Sequence, residues 1–103
     1  MKSILKISLS DIKYNWKLIN TASNGKAAAV VKANAYGMGI IKVSMALLET
    51  GCNYFYVANI FEGLKLRKKI KSSNISIAVF EGYLEGNQKL YAENNLTPIL
   101  NNL

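Results

Sequence analysis

The sequence contains no histidine, and that absence removes more chemistry than any other feature of the 103 residues. Ser-His-Asp and Cys-His mechanisms need an imidazole base, and His-ligated metal sites need its nitrogen. Cysteine is nearly absent too. Cys52 stands alone, which excludes an intrachain disulfide framework and a Cys-pair metal site and gives no sign of an oxidising compartment. Acidic residues are scarce, six against thirteen Lys and Arg, for a net charge of +7. No apolar run approaches the roughly twenty residues that span a bilayer, and Lys2 and Lys6 interrupt the first residues too early for a signal peptide. The expectation is a soluble, cytoplasmic chain with no membrane partner.

Half of the residues are hydrophobic, which predicts a packed chain and not a disordered one. At this length the chain forms a single domain, burying roughly 60–65% of its unfolded surface. The densest charge run is Lys65, Arg67, Lys68, Lys69 and Lys71, interleaved with Leu64, Leu66 and Ile70. It reads as the solvated face of a helix near its C-terminus, where cations suit the macrodipole. No nucleic-acid motif accompanies it, so no nucleic-acid partner is expected. Cys52, between Gly51 and Asn53, reads as a small filler where a helix passes into a strand.

Short strand-like runs alternate with longer helical ones. Ser10 is placed to cap a first helix carrying Ile12, Trp16 and Ile19 on one face. Residues 27–32 read as a fully buried strand, because they are almost continuously apolar. Residues 40–50 repeat Ile40, Val43, Ala46 and Leu47 at helical spacing, and Gly51 can end that helix. Strands are predicted at 54–58, 75–80 and 97–100, with helices at 61–71 and 87–95 between them. Gly63 weakens the first of these helices, and Pro98 fits a strand start that can do without its amide donor. Strand starts recur roughly every 21–27 residues, the length of one βα unit. An open doubly wound sheet and part of a (β/α)8 barrel share that spacing, and composition does not separate them.

Lys32 ends the apolar run and opens the turn Ala33-Asn34-Ala35-Tyr36-Gly37-Met38-Gly39. An amine is nucleophilic only when unprotonated, and apolar neighbours such as Val30 and Val31 favour that form by making the ammonium costly to desolvate. A lysine so placed suits imine chemistry. It equally suits a plain strand end, with its ammonium in water along an apolar stem.

The segment from Val30 to Gly39 resembles the cofactor-lysine motif of bacterial alanine racemases, differing only where Met38 replaces a histidine. Ile7 to Ser10, Ala46 to Gly51, Val57-Ala58, Leu64 to Arg67 and Ile77 to Gly82 are also similar to that family. The resemblance implies an α/β fold, the N-terminal portion of a (β/α)8 barrel of about three to four parallel βα units over residues 1–103, without the family's C-terminal β-domain. It implies that Lys32 holds pyridoxal 5′-phosphate as a Schiff base and acts as one of two proton-transfer groups on alanine. Tyr36 would bind the cofactor phosphate, and Val30 and Phe80 would line the cofactor; no metal is implied. Glu81 and Glu85 receive no role. The second base is a tyrosine from the partner subunit of a homodimer, outside these residues. The chain alone is therefore expected to be inactive. A non-catalytic remnant or interaction module, and a pyridoxal-phosphate carrier, are the competing readings. An uncovered parallel sheet would also leave edges open to another chain.

Overall fold

The computed structural model describes residues 9–31, 39–81 and 86–99. In chain order these form α1 (Leu9–Ala22), β1 (Ala29–Val30), α2 (Ile40–Thr50), β2 (Tyr54–Val57), α3 (Ile60–Lys69), β3 (Ser76–Val79), α4 (Gln88–Glu93) and β4 (Thr97–Pro98). The strands make one parallel sheet in the order β1-β2-β3-β4. A doubly wound sheet reverses its strand order at a switch point, whereas a barrel adds each strand beside the last. Sequential order selects the barrel, and the chain is an α/β partial barrel.

Among the described residues, helices pack against one face of the sheet. Ala29, Val31, Phe55, Val57, Ile77 and Val79 pack into a single core with Trp16, Ile40, Val43, Leu47, Ile60, Leu66 and Tyr91 from the helices. The alternate residues Val30, Tyr54, Tyr56, Ser76 and Ala78 lie on the other face, because successive strand side chains point to opposite sides; of these only Ala78 is fully buried. This corrects the reading of 27–32 as a fully buried strand: Ala29 and Val31 are buried, but Val30 is 45% exposed. A strand is apolar on both faces when both are covered, and here the second face belongs to a barrel interior that these residues only half enclose.

Local chemistry sets the end of α2 and the start of α3. Gly51 stops α2 in the left-handed region (φ 110°), where its N–H meets the carbonyls of Leu47 and Leu48. Asn59 caps α3 by accepting from the Glu62 N–H at 3.0 Å, and Glu62 Oε1 in turn accepts from the Ala58 N–H at 2.7 Å. Two expectations at α1 are corrected. The helix already includes Leu9, so Ser10 lies inside its first turn and is not its cap. Ile19 is 61% exposed, whereas Trp16 is buried and Ile12 packs partly buried against the core. Gly63 is more than a weak helix position. A Cβ there would lie 3.2 Å from Leu96 Cδ1 and 3.4 Å from Val79 Cγ2, so the missing side chain lets α3 approach β3 and the residue before β4.

Arg67 is the largest departure from the sequence reading. Lys65, Lys68, Lys69 and Lys71 are exposed as expected, but Arg67 is buried at 8% exposure. Its Nε donates to Asn94 O at 3.0 Å, Nη1 to Ile70 O and Ser72 O, both at 3.0 Å, and Nη2 to Ile75 O at 2.9 Å and Asn95 O at 2.8 Å. All five guanidinium donors meet backbone carbonyls. The side chain thereby fastens the end of α3, the turn into β3 and the turn from α4 into β4 at the amino-terminal end of the sheet. Burial pushes its pKa down from the ordinary guanidinium value.

Candidate active site

Because the strands are parallel, their carboxyl ends lie at one rim of the sheet, the rim where barrel enzymes build their sites. Val31 N–H donates to Tyr56 O at 2.8 Å and Phe80 N–H to Val57 O at 2.8 Å, so the ladder runs past the end of both β1 and β3 before the loops begin. Of the residues predicted to form the site, Val30 and Phe80 are within the described structure; Lys32, Tyr36, Met38 and Glu85 lie outside the described residues. Val30 is paired in register with Tyr56 on the neighbouring strand. Phe80, 39% exposed, stacks on Tyr56 with ring centroids 5.2 Å apart and planes 19° from parallel. Val30, Tyr56 and Phe80 therefore share one apolar floor across β1, β2 and β3.

Tyr56 is the residue that sequence reasoning missed. The signal was present in Tyr54-Phe55-Tyr56-Val57, where hydroxyl-bearing and purely apolar side chains alternate with the strand period. Tyr54 continues the aromatic row toward the amino-terminal end, its ring centroid 5.2 Å from that of Tyr56. Burial, and then the neighbouring Tyr56, push the Tyr54 phenol up from its ordinary value.

The helix starts at this rim differ in charge. At α3 the Ile60 N–H donates to Glu81 Oε1 at 3.4 Å, in addition to the Asn59 and Glu62 contacts, so carboxylates already serve that helix dipole. Glu81 thus gains a structural role that the sequence did not show. It also faces Tyr91, whose phenol is pushed up first by burial and then by this carboxylate. By contrast, α2 begins after Gly39 with no side-chain cap and no acidic residue in its first turn.

A sequential parallel sheet with helices packed on one face and an apolar floor at the carboxyl rim defines the class: part of a (β/α)8 barrel. The family profile described as "Alanine racemase, N-terminal domain" matches residues 7–103, and the chain belongs to that family. It is similar to alanine racemase of Ruegeria sp. (strain TM1040), 41% identical over 99 residues, and to that of Rickettsia typhi, 41% identical over 100 residues. These matches cover 96% of the chain but 28% and 25% of the relatives, so the chain spans about a quarter of their length. Among solved structures it resembles alanine racemase from Bartonella henselae with covalently bound pyridoxal phosphate (TM-score 0.83, 35% identity), covering 92% of this chain and 26% of that one. Biosynthetic alanine racemase from Pseudomonas aeruginosa is similar at TM-score 0.82 and 31% identity, with the same coverage.

Proposed function

We propose that this chain supplies the cofactor-anchoring part of a cytoplasmic alanine racemase, attaching pyridoxal 5′-phosphate covalently at Lys32 for interconversion of L- and D-alanine. The observation that supports this best is the fold likeness to a racemase with covalently bound pyridoxal phosphate, extending over nearly the whole chain. The described residues fit the group. An apolar floor of Val30, Tyr56 and Phe80 suits a flat aromatic ring, and the first turn of α2 carries no acidic residue that would repel an anionic group. When bound, the cofactor acts as an electron sink for the negative charge left on the substrate α-carbon.

The chain's own residues do the remaining local work. Val30 and Phe80 would line one side of the ring and keep water from it. Tyr36 would hold the phosphate through its hydroxyl. Lys32 moves a proton to and from the α-carbon on one face. Racemisation needs proton transfer on both faces, and a single lysine serves only one. The chain alone therefore does not racemise alanine at an appreciable rate, and the opposite proton donor comes from residues beyond it, in a homodimer of the kind the family forms. The product would serve as D-alanine for peptidoglycan.

Borohydride reduction after incubation with pyridoxal phosphate, followed by peptide mapping, tests the reading. A single pyridoxyl adduct on Lys32, lost in Lys32→Ala, is expected. Labelling spread over the exposed lysines, or none, would overturn it and leave a non-catalytic module as the better account.

A further inference from the structure

We propose that Tyr56 is a positioning residue for the cofactor ring: it acts through Phe80, whose ring plane it fixes at the carboxyl rim of the sheet. The inference rests on the cofactor-anchoring role proposed above and adds the residue that orients its aromatic wall. Val30, Tyr56 and Ala78 pair in register across β1, β2 and β3, so they form one row on the face away from the helices. Phe80 stands two residues beyond Ala78 and one residue past the end of β3. It is therefore the diagonal neighbour of Tyr56, and diagonal neighbours lie within reach of aromatic side chains. Ala78 makes room for the contact. Directly across from Tyr56 it carries only a methyl group, buried at 1% exposure, so the space a larger side chain would take is left to the two rings. They stack with centroids 5.2 Å apart and planes 19° from parallel.

Tyr56 is itself held from the other side. Tyr54 lies two residues earlier on the same face, with its ring centroid 5.2 Å from that of Tyr56 and a hydrogen bond between the two phenols. Phe80, by contrast, already stands in the turn that follows β3, where a phenylalanine without an aromatic neighbour would sample several rotamers. A side chain held before its ligand arrives loses less freedom on binding. A flat wall at a set tilt also favours one orientation of an aromatic ring laid against it. The hydroxyl of Tyr56 turns to Tyr54, so the part that acts on Phe80 is the ring.

A side chain that only filled space at this position would need bulk but not a plane. Tyr56→Leu keeps an apolar side chain and removes the ring, whereas Tyr56→Phe keeps the ring and removes the hydroxyl. The two substitutions therefore separate orientation from filling, and far-ultraviolet dichroism confirms that each chain folds.

Titration of the whole chain with pyridoxal phosphate tests the proposal. Two signals are read: visible circular dichroism per bound cofactor, which reports how firmly its ring is oriented, and the borohydride-trapped adduct on Lys32. Tyr56→Leu should raise the concentration for half-labelling by roughly 3–10-fold, the worth of an aromatic pair, and lower the dichroism by about half or more. Tyr56→Phe should keep both signals at the parent's values. Phe80→Leu alone should give the same losses as Tyr56→Leu, which keeps the test decisive if the latter does not fold. Adding Tyr56→Leu to Phe80→Leu should change nothing more, because the two rings act as one unit. Parental labelling and dichroism in Tyr56→Leu, or an undiminished effect of that substitution in the Phe80→Leu chain, would overturn the positioning role while leaving cofactor attachment intact. A parent chain without a specific Lys32 adduct would instead overturn the anchoring role, and the positioning role with it.

Discussion

Replacing Arg67 should damage this fold more than any other substitution of a charged residue, although the sequence places it within a run of surface cations. Its five hydrogen bonds reach carbonyls of Ile70, Ser72, Ile75, Asn94 and Asn95. A bond from a charged donor contributes about 1.5–3 kcal/mol when counted singly, but five bonds from one group share its desolvation and its ordering and do not add. Arg67→Ala removes all five and leaves buried carbonyls to find water, for an expected loss of roughly 3–5 kcal/mol. Arg67→Lys keeps the charge but offers three donors from one point in place of a planar fork of five, and should cost about 2–3 kcal/mol. With a urea m-value of about 1–2 kcal/mol/M for a chain of this size, the lysine variant's midpoint should fall by roughly 1–2 M. Urea unfolding followed by circular dichroism, at one fixed protein concentration, measures this. The lysine variant keeps the test informative if the alanine variant does not fold. A midpoint within about 0.3 M of the parent for Arg67→Lys would refute the clamp, because a solvated arginine is replaced by lysine at almost no cost.

Gly63→Ala sets helix propensity, worth up to about 1 kcal/mol in alanine's favour, against a Cβ 3.2 Å from Leu96 Cδ1. Because Leu96 and Val79 are buried, crowding should win by about 1 kcal/mol. A double-mutant cycle with Leu96→Ala should show the two positions coupled, and simple additivity would refute the close-approach argument. Stability should also fall at alkaline pH. Burial raises the Cys52 thiol above its ordinary 9.0, and burial with Glu81 raises the Tyr91 phenol above its ordinary 10.0. The folded state then holds protons that the unfolded chain releases. The two groups contribute nothing against unfolding below about pH 9, and stability declines as pH rises past their unfolded values. Cys52→Ala should flatten the onset of that decline and Tyr91→Phe its continuation, both read from thermal midpoints between pH 8 and 11; unchanged profiles would argue against burial as the cause.

Much of the fold was legible because it depends on local pattern. Val43, Ala46 and Leu47 fall on one face of α2 at helical spacing, and all are buried. Gly51 ends that helix because a left-handed residue was required there. Cys52, 1% exposed, fills the turn into β2 as read. The observed strands are shorter than predicted at every position, since parallel pairing needs two partners in register while apolarity needs only one residue. The site was less legible. Val30 and Phe80 were placed by family likeness, but Tyr56, which joins them, belongs to no local motif. It lies beside both because β2 runs between β1 and β3.

The sequence by itself determined the alternation of helices and strands and a lysine motif specific enough to indicate a family. Each of these rests on residues close together along the chain. Only the tertiary structure decided that the strands run in sequential order, that the described helices pack on one face of the sheet, and that Arg67 is a buried clamp and not a surface charge. Those outcomes turn on contacts between distant segments. Arg67 meets the carbonyls of Asn94 and Asn95 only after α3 and the turn before β4 have packed together. A periodic pattern can show that a residue faces inward or outward on its own helix, but it cannot show which carbonyls from elsewhere will meet it there.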